Sequence, residues 1–422
     1  MESNDPEKDS NIDNQSLSKN LSGEESKLAE ASELGYAPQY ESELNPTFEM
    51  YLKKTTEIPE HLLQPKYFSK NVFEKVVLAS YPRSGNTMTR KYLEDITGVI
   101  TGSDFDQKRD IAHNLIEEGM VGEGKVDDKV WIIKTHFPMG PINVKCDANK
   151  CILLVRNPMD AMASAINFMT SYNHSWSIAD YHLEKSKPYL DTFVNIEAAQ
   201  WRNFHSYWMD EPAIPTYIVR YEDLLFDKKN TLLDLFRFLL NEKNLEGTLI
   251  EALIEHHANP ELKKEVYIPR KGKANCNKHL YSESQIKKIK QESGQMLKRM
   301  GYVKEDSDIS NNTEYYSDDE DIESSIQHNC ETFTRNGEEI EVKTRYNYKE
   351  LNEIMLNKVC SDEYKNSVKE CSDLTSIEIN RFDDYLPDEY PEGKGPFGYF
   401  EKLSKTLDFV LPDGTIKKAE ES

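Results

Sequence analysis

The chain has 422 residues and a formal net charge of −23, with 75 acidic and 52 basic side chains. Only 37% of its residues are hydrophobic, below the roughly 45–50% of an average globular domain, so part of the chain is expected to lie outside any packed core. The negative charge argues against general nucleic-acid binding, which needs a basic face. No stretch approaches the ~20 apolar residues of a membrane span.

The first residues and the cysteines indicate a cytoplasmic protein. Residues 1–10 lack the basic end and the apolar run of a secretory signal. The six cysteines include no Cys-x-x-Cys pair, which excludes the common zinc spacings, and they fit free thiols in a reducing compartment. We therefore expect a soluble cytoplasmic protein without a bound metal.

The charge is unevenly distributed along the chain and predicts four regions. Residues 1–45 carry a net charge of −8 and are rich in Ser, Asn and Glu, so we expect a disordered acidic N-terminal arm. Residues 46–304 carry +2 and hold the alternating apolar segments of a folded domain. Residues 305–422 carry −17. Within them, 305–345 is predicted to be an acidic, largely disordered linker, and 346–422 an extension of unknown role.

The central region alternates short apolar segments with amphipathic ones. Buried-type strands are predicted at 75–80, 130–133, 151–155 and 216–219, and helices at 86–97, 157–169, 191–209, 229–240, 246–258 and 283–299. Strands that alternate with helices predict an α/β fold with a P-loop-like central parallel β-sheet, helices on both faces and acidic low-complexity arms. In the C-terminal extension, a short helix is predicted at 348–359 and a hairpin around 412–414.

The first strand is followed by Ser80-Tyr-Pro-Arg-Ser-Gly-Asn-Thr87, which has the features of an anion-binding turn. The helix N-terminus would present backbone N–H groups and a positive dipole end to an anion. A cation, two hydroxyl groups and a flexible turn come from the candidate residues Arg83, Ser84, Gly85, Asn86 and Thr87. The loop lacks the first Gly and the Lys of a Walker A motif. The alternative is a strand-to-helix turn without a ligand.

Charged residues also follow the second and third strands. Lys134 and His136 are two residues apart, so they point to the same side and bring a cation next to a titratable base. Arg156 follows the third strand beside a helix N-terminus, with Ser164 two turns later, and forms a second candidate anion site. The alternatives are a surface His without a chemical role, and an Arg156 that pairs with Asp160 as a structural clamp.

Two further motifs complete the series. The fourth strand is followed by Arg220-Tyr221-Glu-Asp, for which the alternative is a helix-capping cluster. The segment Arg270-Lys271-Gly272-Lys places three cations around one Gly and forms a third possible anion loop. Its alternative is a solvated basic cluster.

Together, these motifs resemble those of the sulfotransferase domain family, and most closely those of its cytosolic members. Tyr81-Pro-Arg-Ser-Gly-Asn-Thr87 is similar to the family's Tyr-Pro-Lys-Ser-Gly-Thr-Thr loop, and Lys134-Thr-His-Phe-Pro138 to its Lys-Thr-His-Leu-Pro segment. Arg156-Asn-Pro with Ser164, and Arg270-Lys-Gly, match the family's 3′-phosphate site. The resemblance covers about residues 70–303.

The resemblance implies a donor and the residues that bind it. The donor would be 3′-phosphoadenosine 5′-phosphosulfate, PAPS, which is strongly anionic. The loop around Arg83 would bind its 5′-phosphosulfate, and Arg156, Ser164 and the 270–272 loop would bind its 3′-phosphate. Tyr221 would also contact the nucleotide.

The resemblance also implies a metal-free in-line transfer of the sulfuryl group. His136 would remove the proton of the acceptor, a hydroxyl or amine of a small molecule, and the pKa of an unperturbed His is about 6.5. Lys134 and Arg83 would stabilise the charge that develops on the transferring group. The aromatic-rich segment 167–182 fits either an acceptor pocket or helix packing. The core is predicted to include three aromatic residues of the next helix, Trp201, Tyr207 and Trp208.

Two single residues and one short segment depart from the family pattern. Arg83 replaces a Lys, which changes the geometry because a guanidinium is a planar fork. Met88 stands where an adenine-stacking Trp is common, so stacking must come from elsewhere. Asn275-Cys-Asn277 replaces the Gly-Asp-Trp after the late basic loop.

Two other classes of function remain open. A P-loop kinase is disfavoured by the missing Walker A Lys and by the Lys-x-His segment. A non-catalytic nucleotide-binding or scaffolding protein is consistent with the acidic arms and the altered late loop, although retention of both Lys134 and His136 argues against decay of the site.

Overall fold

A computed structural model of the chain describes the central region and parts of the C-terminal extension. The described residues are 43–44, 47–63, 66–69, 74–104, 115–116, 118–138, 148–171, 176–179, 183–210, 214–259, 277–303, 331–335, 338–342, 347–370, 407–411 and 414–419. Most of the predicted N-terminal arm, most of the acidic linker and the basic loop at 270–272 lie outside these ranges.

The described strands and helices are numbered separately in chain order. The strands are β1 Glu43–Leu44, β2 Phe68–Ser69, β3 Val76–Ser80, β4 Gly102–Ser103, β5 Ile132–Thr135, β6 Lys150–Val155, β7 Ser177–Ile178, β8 Thr216–Arg220, β9 Glu331–Arg335, β10 Glu338–Val342, β11 Phe409–Val410 and β12 Ile416–Lys417. The α-helices are α1 Phe48–Leu52, α2 Glu60–Leu63, α3 Asn86–Thr97, α4 Pro158–Ser171, α5 Leu183–Asp210, α6 Tyr221–Phe226, α7 Lys228–Leu239, α8 Leu249–Ala258, α9 Glu283–Arg299, α10 Tyr348–Val359 and α11 Asp362–Glu370.

The central sheet has five parallel strands in the order β4-β5-β3-β6-β8. Strand β3 lies in the middle, and its residues are buried on both faces. Because β-branched and aliphatic segments alternate with helices along the chain, the sheet is covered on both sides, as expected for parallel strands. The predicted α/β fold with a central parallel sheet is therefore confirmed.

Strand β5 differs from its prediction in a way that matters for the site. It begins at Ile132 and ends at Thr135, two residues later than the apolar pattern predicted, because it pairs in parallel with β3 from Val76 to Ala79. Lys134 therefore lies inside the strand, and His136 is the first residue beyond its carboxyl end.

Two hydrophobic clusters lie on opposite faces of the sheet. Alternate residues of β3 belong to different clusters: Val77 to one and Leu78 to the other, as the two-residue period of a strand requires. The predicted core aromatics of α5 are confirmed, since Trp201 and Trp208 are buried and the partly buried Tyr207 packs against the same cluster.

The C-terminal extension contributes elements to this domain. Helix α10 has the predicted bounds and packs against β8. Strands β11 and β12 form the predicted antiparallel pair, and β11 also pairs with β7 to make a three-stranded sheet. Within the segment predicted to be a disordered linker, β9 and β10 pair in antiparallel register, an element that the charge pattern did not indicate.

No helix in the described ranges is long and apolar enough to cross a membrane.

Candidate functional site

The loop between β3 and α3 forms the centre of the candidate site. Arg83 and Gly85 adopt positive φ angles of 70° and 97°, which turn the chain tightly and place the buried Ser84 between them. Gly85 is the N-cap of α3, and a glycine has no side chain that could cap the helix. The N–H groups of the first helical turn, where the half-buried Thr87 also lies, thus form a site that suits an anion.

Arg156 and Tyr221 pack over this loop. Arg156 Nη1 donates a hydrogen bond of 2.9 Å to the carbonyl oxygen of Arg83. The Arg156 guanidinium lies 4.4 Å from the centroid of the Tyr221 ring. A Cβ atom added to Gly85 would lie 2.5 Å from Cδ2 of Tyr221, so only glycine allows the ring to rest on the loop. The structure therefore brings residues from the ends of β3, β6 and β8 into one cluster.

The side chain of Arg83 extends toward α4. Its Nε donates to Ser164 Oγ at 3.2 Å, and its guanidinium lies 4.8 Å from the centroid of the Phe168 ring. The predicted loop cation and the predicted hydroxyl of α4 are thus in direct contact.

Three buried polar atoms around the loop have no hydrogen-bond partner in the part of the chain that the structure describes: Ser84 Oγ, Asn86 Oδ1 and Arg156 Nε. Buried polar atoms are normally paired, and leaving one unpaired costs about 1–3 kcal/mol. Two of the three atoms are donors suited to the oxygens of a phosphate or sulfate. The residues of the loop therefore fit an anionic ligand such as a phosphate or sulfate group.

His136 is held at its Nδ1 atom by the end of β3. Nδ1 lies 2.7 Å from the carbonyl oxygen of Ser80, and because a carbonyl only accepts, Nδ1 carries the hydrogen and Nε2 keeps a lone pair. Asn86 Nδ2 donates to Ser80 Oγ at 2.9 Å. Burial and the nearby Lys134 charge lower the pKa of His136 to about 3, so the half-buried imidazole is neutral at neutral pH. The sequence alone had suggested an unperturbed pKa near 6.5.

Lys134 lies next to a buried cluster of charged residues, Arg90, Asp104 and Glu123, which sequence analysis did not identify. Burial lowers the pKa of Lys134, and the carboxylates of Glu123 and Asp104 oppose that shift. Glu123 forms an ion pair with the buried Arg90 and accepts a hydrogen bond of 2.7 Å from Ser103 Oγ.

The two carboxylates of this cluster respond differently to burial. Burial alone would raise the pKa of Glu123, but the charges of Arg90 and Lys134 lower it to about 2. Burial raises the pKa of Asp104 to about 6, although a hydrogen bond from Thr135 opposes this shift. Glu123 is thus the permanent counter-charge near Lys134, whereas Asp104 titrates close to neutral pH.

Asp160 has a different role from the one considered in the sequence analysis. It accepts hydrogen bonds from the backbone N and from Nδ2 of Asn277, at 3.1 and 2.9 Å. The chain that follows the predicted late basic loop is therefore anchored at the start of α4, beside Arg156. The candidate residues Arg270, Lys271 and Gly272 themselves lie outside the described residues.

Met88 is buried in the core with 3% of its surface exposed. Its side chain packs with the hydrophobic cluster on the α3 side of the sheet. The ring that lies on the loop belongs instead to Tyr221, which is buried with 4% of its surface exposed and is covered by the Arg156 guanidinium.

The segment after α4 packs against the C-terminal hairpin. Asn167 Oδ1 accepts a hydrogen bond of 2.7 Å from the backbone N of Ile178 in β7. Strand β11 pairs with β7, and the rings of Trp176 and Phe409 lie 6.1 Å apart. Residues 172–175 and 180–182 of the possible acceptor segment lie outside the described residues.

Among the residues that the structure describes, no group of three or more His, Cys, Asp or Glu side chains is placed to hold a metal ion.

Comparison with known proteins identifies the family. The family model described as "Sulfotransferase domain" matches residues 73–301, more than half of the chain. A WSCD family member of Aedes aegypti is 29% identical over 171 residues, which are 40% of this chain and 52% of that protein. A WSCD family member of Drosophila melanogaster is 28% identical over 169 residues, 39% of this chain and 51% of that protein. The chain thus spans about half the length of the curated relatives it matches. The domain match confirms the resemblance seen in the motifs: the chain belongs to the sulfotransferase domain family.

Proposed function

We propose that the protein is an enzyme that transfers the sulfuryl group of PAPS to a hydroxyl or amine of a small-molecule acceptor. The observation that carries this proposal is the pair of unpaired buried donors, Ser84 Oγ and Arg156 Nε, beside a helix N-terminus. Such an arrangement suits phosphate or sulfate oxygens. Membership of the sulfotransferase domain family supports the choice of group transferred.

The donor would be bound by local positive charge, although the chain as a whole is acidic. When bound, PAPS would supply an activated sulfuryl group on a phosphate leaving group. The loop backbone and Ser84 would hold the phosphosulfate, Arg156 and Ser164 would hold the 3′-phosphate, and the Tyr221 ring would keep Arg156 in place beside the nucleotide. Arg270, Lys271 and Gly272 are proposed to close over the same phosphate.

His136 would act as the general base through Nε2. The hydrogen bond from Nδ1 to the carbonyl of Ser80 fixes the ring and becomes stronger when the imidazole gains the acceptor proton. Because negative charge near His136 offsets the effect of Lys134, we expect donor binding to raise the pKa of His136 toward the range useful for catalysis. Lys134 and Arg83 would stabilise charge on the transferring oxygens.

The proposal also includes the class of acceptor and the cellular location of the protein. An acceptor bound beside α4 would meet Phe168 and the wall formed by β7 and the C-terminal hairpin. We propose a small hydroxylated compound as the acceptor, no nucleic-acid partner and a cytoplasmic location.

The donor site is tested by comparing two nucleotides that differ in one phosphate. Adenosine 3′,5′-bisphosphate is expected to bind more tightly than AMP, and Arg156→Ala is expected to remove most of that preference, at about 1.5–3 kcal/mol per lost charged hydrogen bond. The control is Arg237→Ala, which removes a guanidinium that pairs with Asp234 on the surface of α7. Equal binding of both nucleotides by the wild type, measured by isothermal titration calorimetry, would refute the assignment.

Catalysis is tested by transfer of radiolabelled sulfate from PAPS into a pool of cell-lysate small molecules. A labelled product that forms with the wild type and not with His136→Ala supports the proposal and allows the acceptor to be identified. Tight bisphosphate binding without any labelled product would support the alternative of a non-catalytic nucleotide-binding protein.

A further inference from the structure

The family domain ends at residue 301, and 46 residues separate it from the start of helix α10 at Tyr348. The helix nevertheless covers the outer edge of the central sheet. β8 is the last strand of the described sheet. The Asn352 side chain donates from Nδ2 to the carbonyl of Ile218 and accepts at Oδ1 from its N–H, both at 2.7 Å. A single side-chain amide thus pairs with the edge strand as a neighbouring strand would.

The same helix contacts the residues that follow β8. The Arg220 guanidinium lies 4.7 Å from the ring centroid of Tyr302 and 5.2 Å from that of Tyr348. Tyr348 Oη also donates to Asp223 Oδ2 at 3.1 Å. The first residue of α10 therefore contacts both ends of the first turn of α6, the turn that follows β8 and contains Tyr221.

That turn is connected to the nucleotide side of the site in two ways. Tyr221 itself stacks on Arg156 and rests on Gly85. Glu222 accepts hydrogen bonds from the backbone N of Asn157, at 2.9 Å, and from Tyr302 Oη, at 2.8 Å. Both contacts fix the position of Arg156. Tyr221 does so through its ring, and Glu222 does so through Asn157, the residue that follows Arg156.

We propose that Tyr348 and Asn352 of the C-terminal extension are positioning residues for the nucleotide subsite. They hold the turn after β8 so that Tyr221 stays stacked on Arg156 above the loop. This inference rests on the proposed function, because it assigns the ligand of that subsite to be a nucleotide 3′-phosphate. The catalytic base lies at the end of β5, outside this chain of contacts, so the effect is on donor binding and not on the chemical step.

The test uses the full-length chain and the probe adenosine 3′,5′-bisphosphate. Tyr348→Ala and Asn352→Leu are expected to raise its dissociation constant about five- to tenfold, less than the loss of a whole charge-assisted hydrogen bond, because the contacts of Arg156 with the ligand are loosened and not removed. Tyr348→Phe keeps the ring over Arg220 and loses only the contacts of the hydroxyl group with Asp223 and Arg220, so a smaller increase is expected. In turnover assays, KM for PAPS is expected to rise while kcat stays at the wild-type value.

The matched control is Val359→Ala, at the other end of α10. Val359 is fully buried eleven residues, or about three helical turns, after Tyr348, so its truncation destabilises the same helix and leaves the contacts of Tyr348 and Asn352 in place. Bisphosphate affinity is expected to remain at the wild-type value even though the melting temperature falls.

The outcomes separate the inference from the function on which it rests. If the wild type binds bisphosphate and all three variants of Tyr348 and Asn352 bind it equally well, the positioning role is refuted and the proposed function stands. If Val359→Ala weakens binding as much as the others, the helix acts only through stability and the inference is again refuted. If the wild type shows no preference for the bisphosphate, the proposed function fails, and the inference fails with it. Should Tyr348→Ala not fold, Tyr348→Phe and Asn352→Leu decide.

Discussion

Substituting Gly85 by Ala tests whether the contact between the loop and Tyr221 forms part of the nucleotide site. The substitution is expected to cost free energy in two ways. The first comes from the φ angle of +97°, because an L-residue in this region costs roughly 1–3 kcal/mol. The second comes from the Tyr221 ring, which lies 2.5 Å from the added Cβ and must move away. Its stacking on Arg156 is then lost, a contact worth about 0.5–2 kcal/mol, or about 2- to 30-fold in affinity.

Gly119→Ala is the matched control for the first penalty. Its φ of +92° is nearly the same, but an added Cβ meets nothing within 4 Å. Both variants are therefore expected to lose stability in urea denaturation, and only Gly85→Ala is expected to lose affinity for adenosine 3′,5′-bisphosphate in calorimetry. If the two variants bind the bisphosphate equally well, Tyr221 has no role in the site and the reasoning is wrong.

The remaining predictions concern the base and the charges around it. His136→Ala is expected to lower turnover roughly 10²–10⁴-fold with bisphosphate affinity unchanged; a folded variant with wild-type turnover would place the base elsewhere. Because the pKa of His136 in the free protein is about 3, the base is already deprotonated above pH 5, so kcat/KM for PAPS, which reports the free enzyme, is expected to be flat from about pH 5 to 8. A rise centred near 6.5 would contradict the lowered pKa. Glu123→Gln leaves the buried Arg90 without its counter-charge, and is expected to reduce the free energy of unfolding by about 3–5 kcal/mol, measured in urea; a loss below about 1 kcal/mol, the usual worth of a surface ion pair, would contradict this role.

The sheet was predictable because the aliphatic segments of its strands are local signals, and the exception shows the limit of such signals. The apolar pattern of β5 ends at Ile133, whereas the strand continues through Lys134 and Thr135. These polar residues can stay buried because Asp104 and Glu123, from a separate part of the chain, provide their partners. A strand that depends on distant partners for its polar residues carries no local sign of its length.

The C-terminal extension shows the same limit for packing. The helical period of α10 was visible in the sequence, and its bounds agree with the structure. Its binding surface was not predictable, because Asn352 pairs with backbone atoms of Ile218, 134 positions away. Every residue has the same backbone groups, so the sequence of β8 does not mark the strand as the partner of an amide.

The residues of the candidate site were predictable at positions that match the family motif. The contacts of a residue that belongs to two parts of the site were not. Asn86 occupies the position of the first Thr in the family's Tyr-Pro-Lys-Ser-Gly-Thr-Thr loop. A Thr offers one hydroxyl, whereas the amide of Asn offers a donor and an acceptor on separate atoms. Here Nδ2 binds Ser80, whose carbonyl holds His136, and Oδ1 is one of the unpaired buried atoms at the loop. The residue that begins α3 therefore connects the proposed donor loop to the proposed base, a link that exists only once β3 and β5 lie side by side.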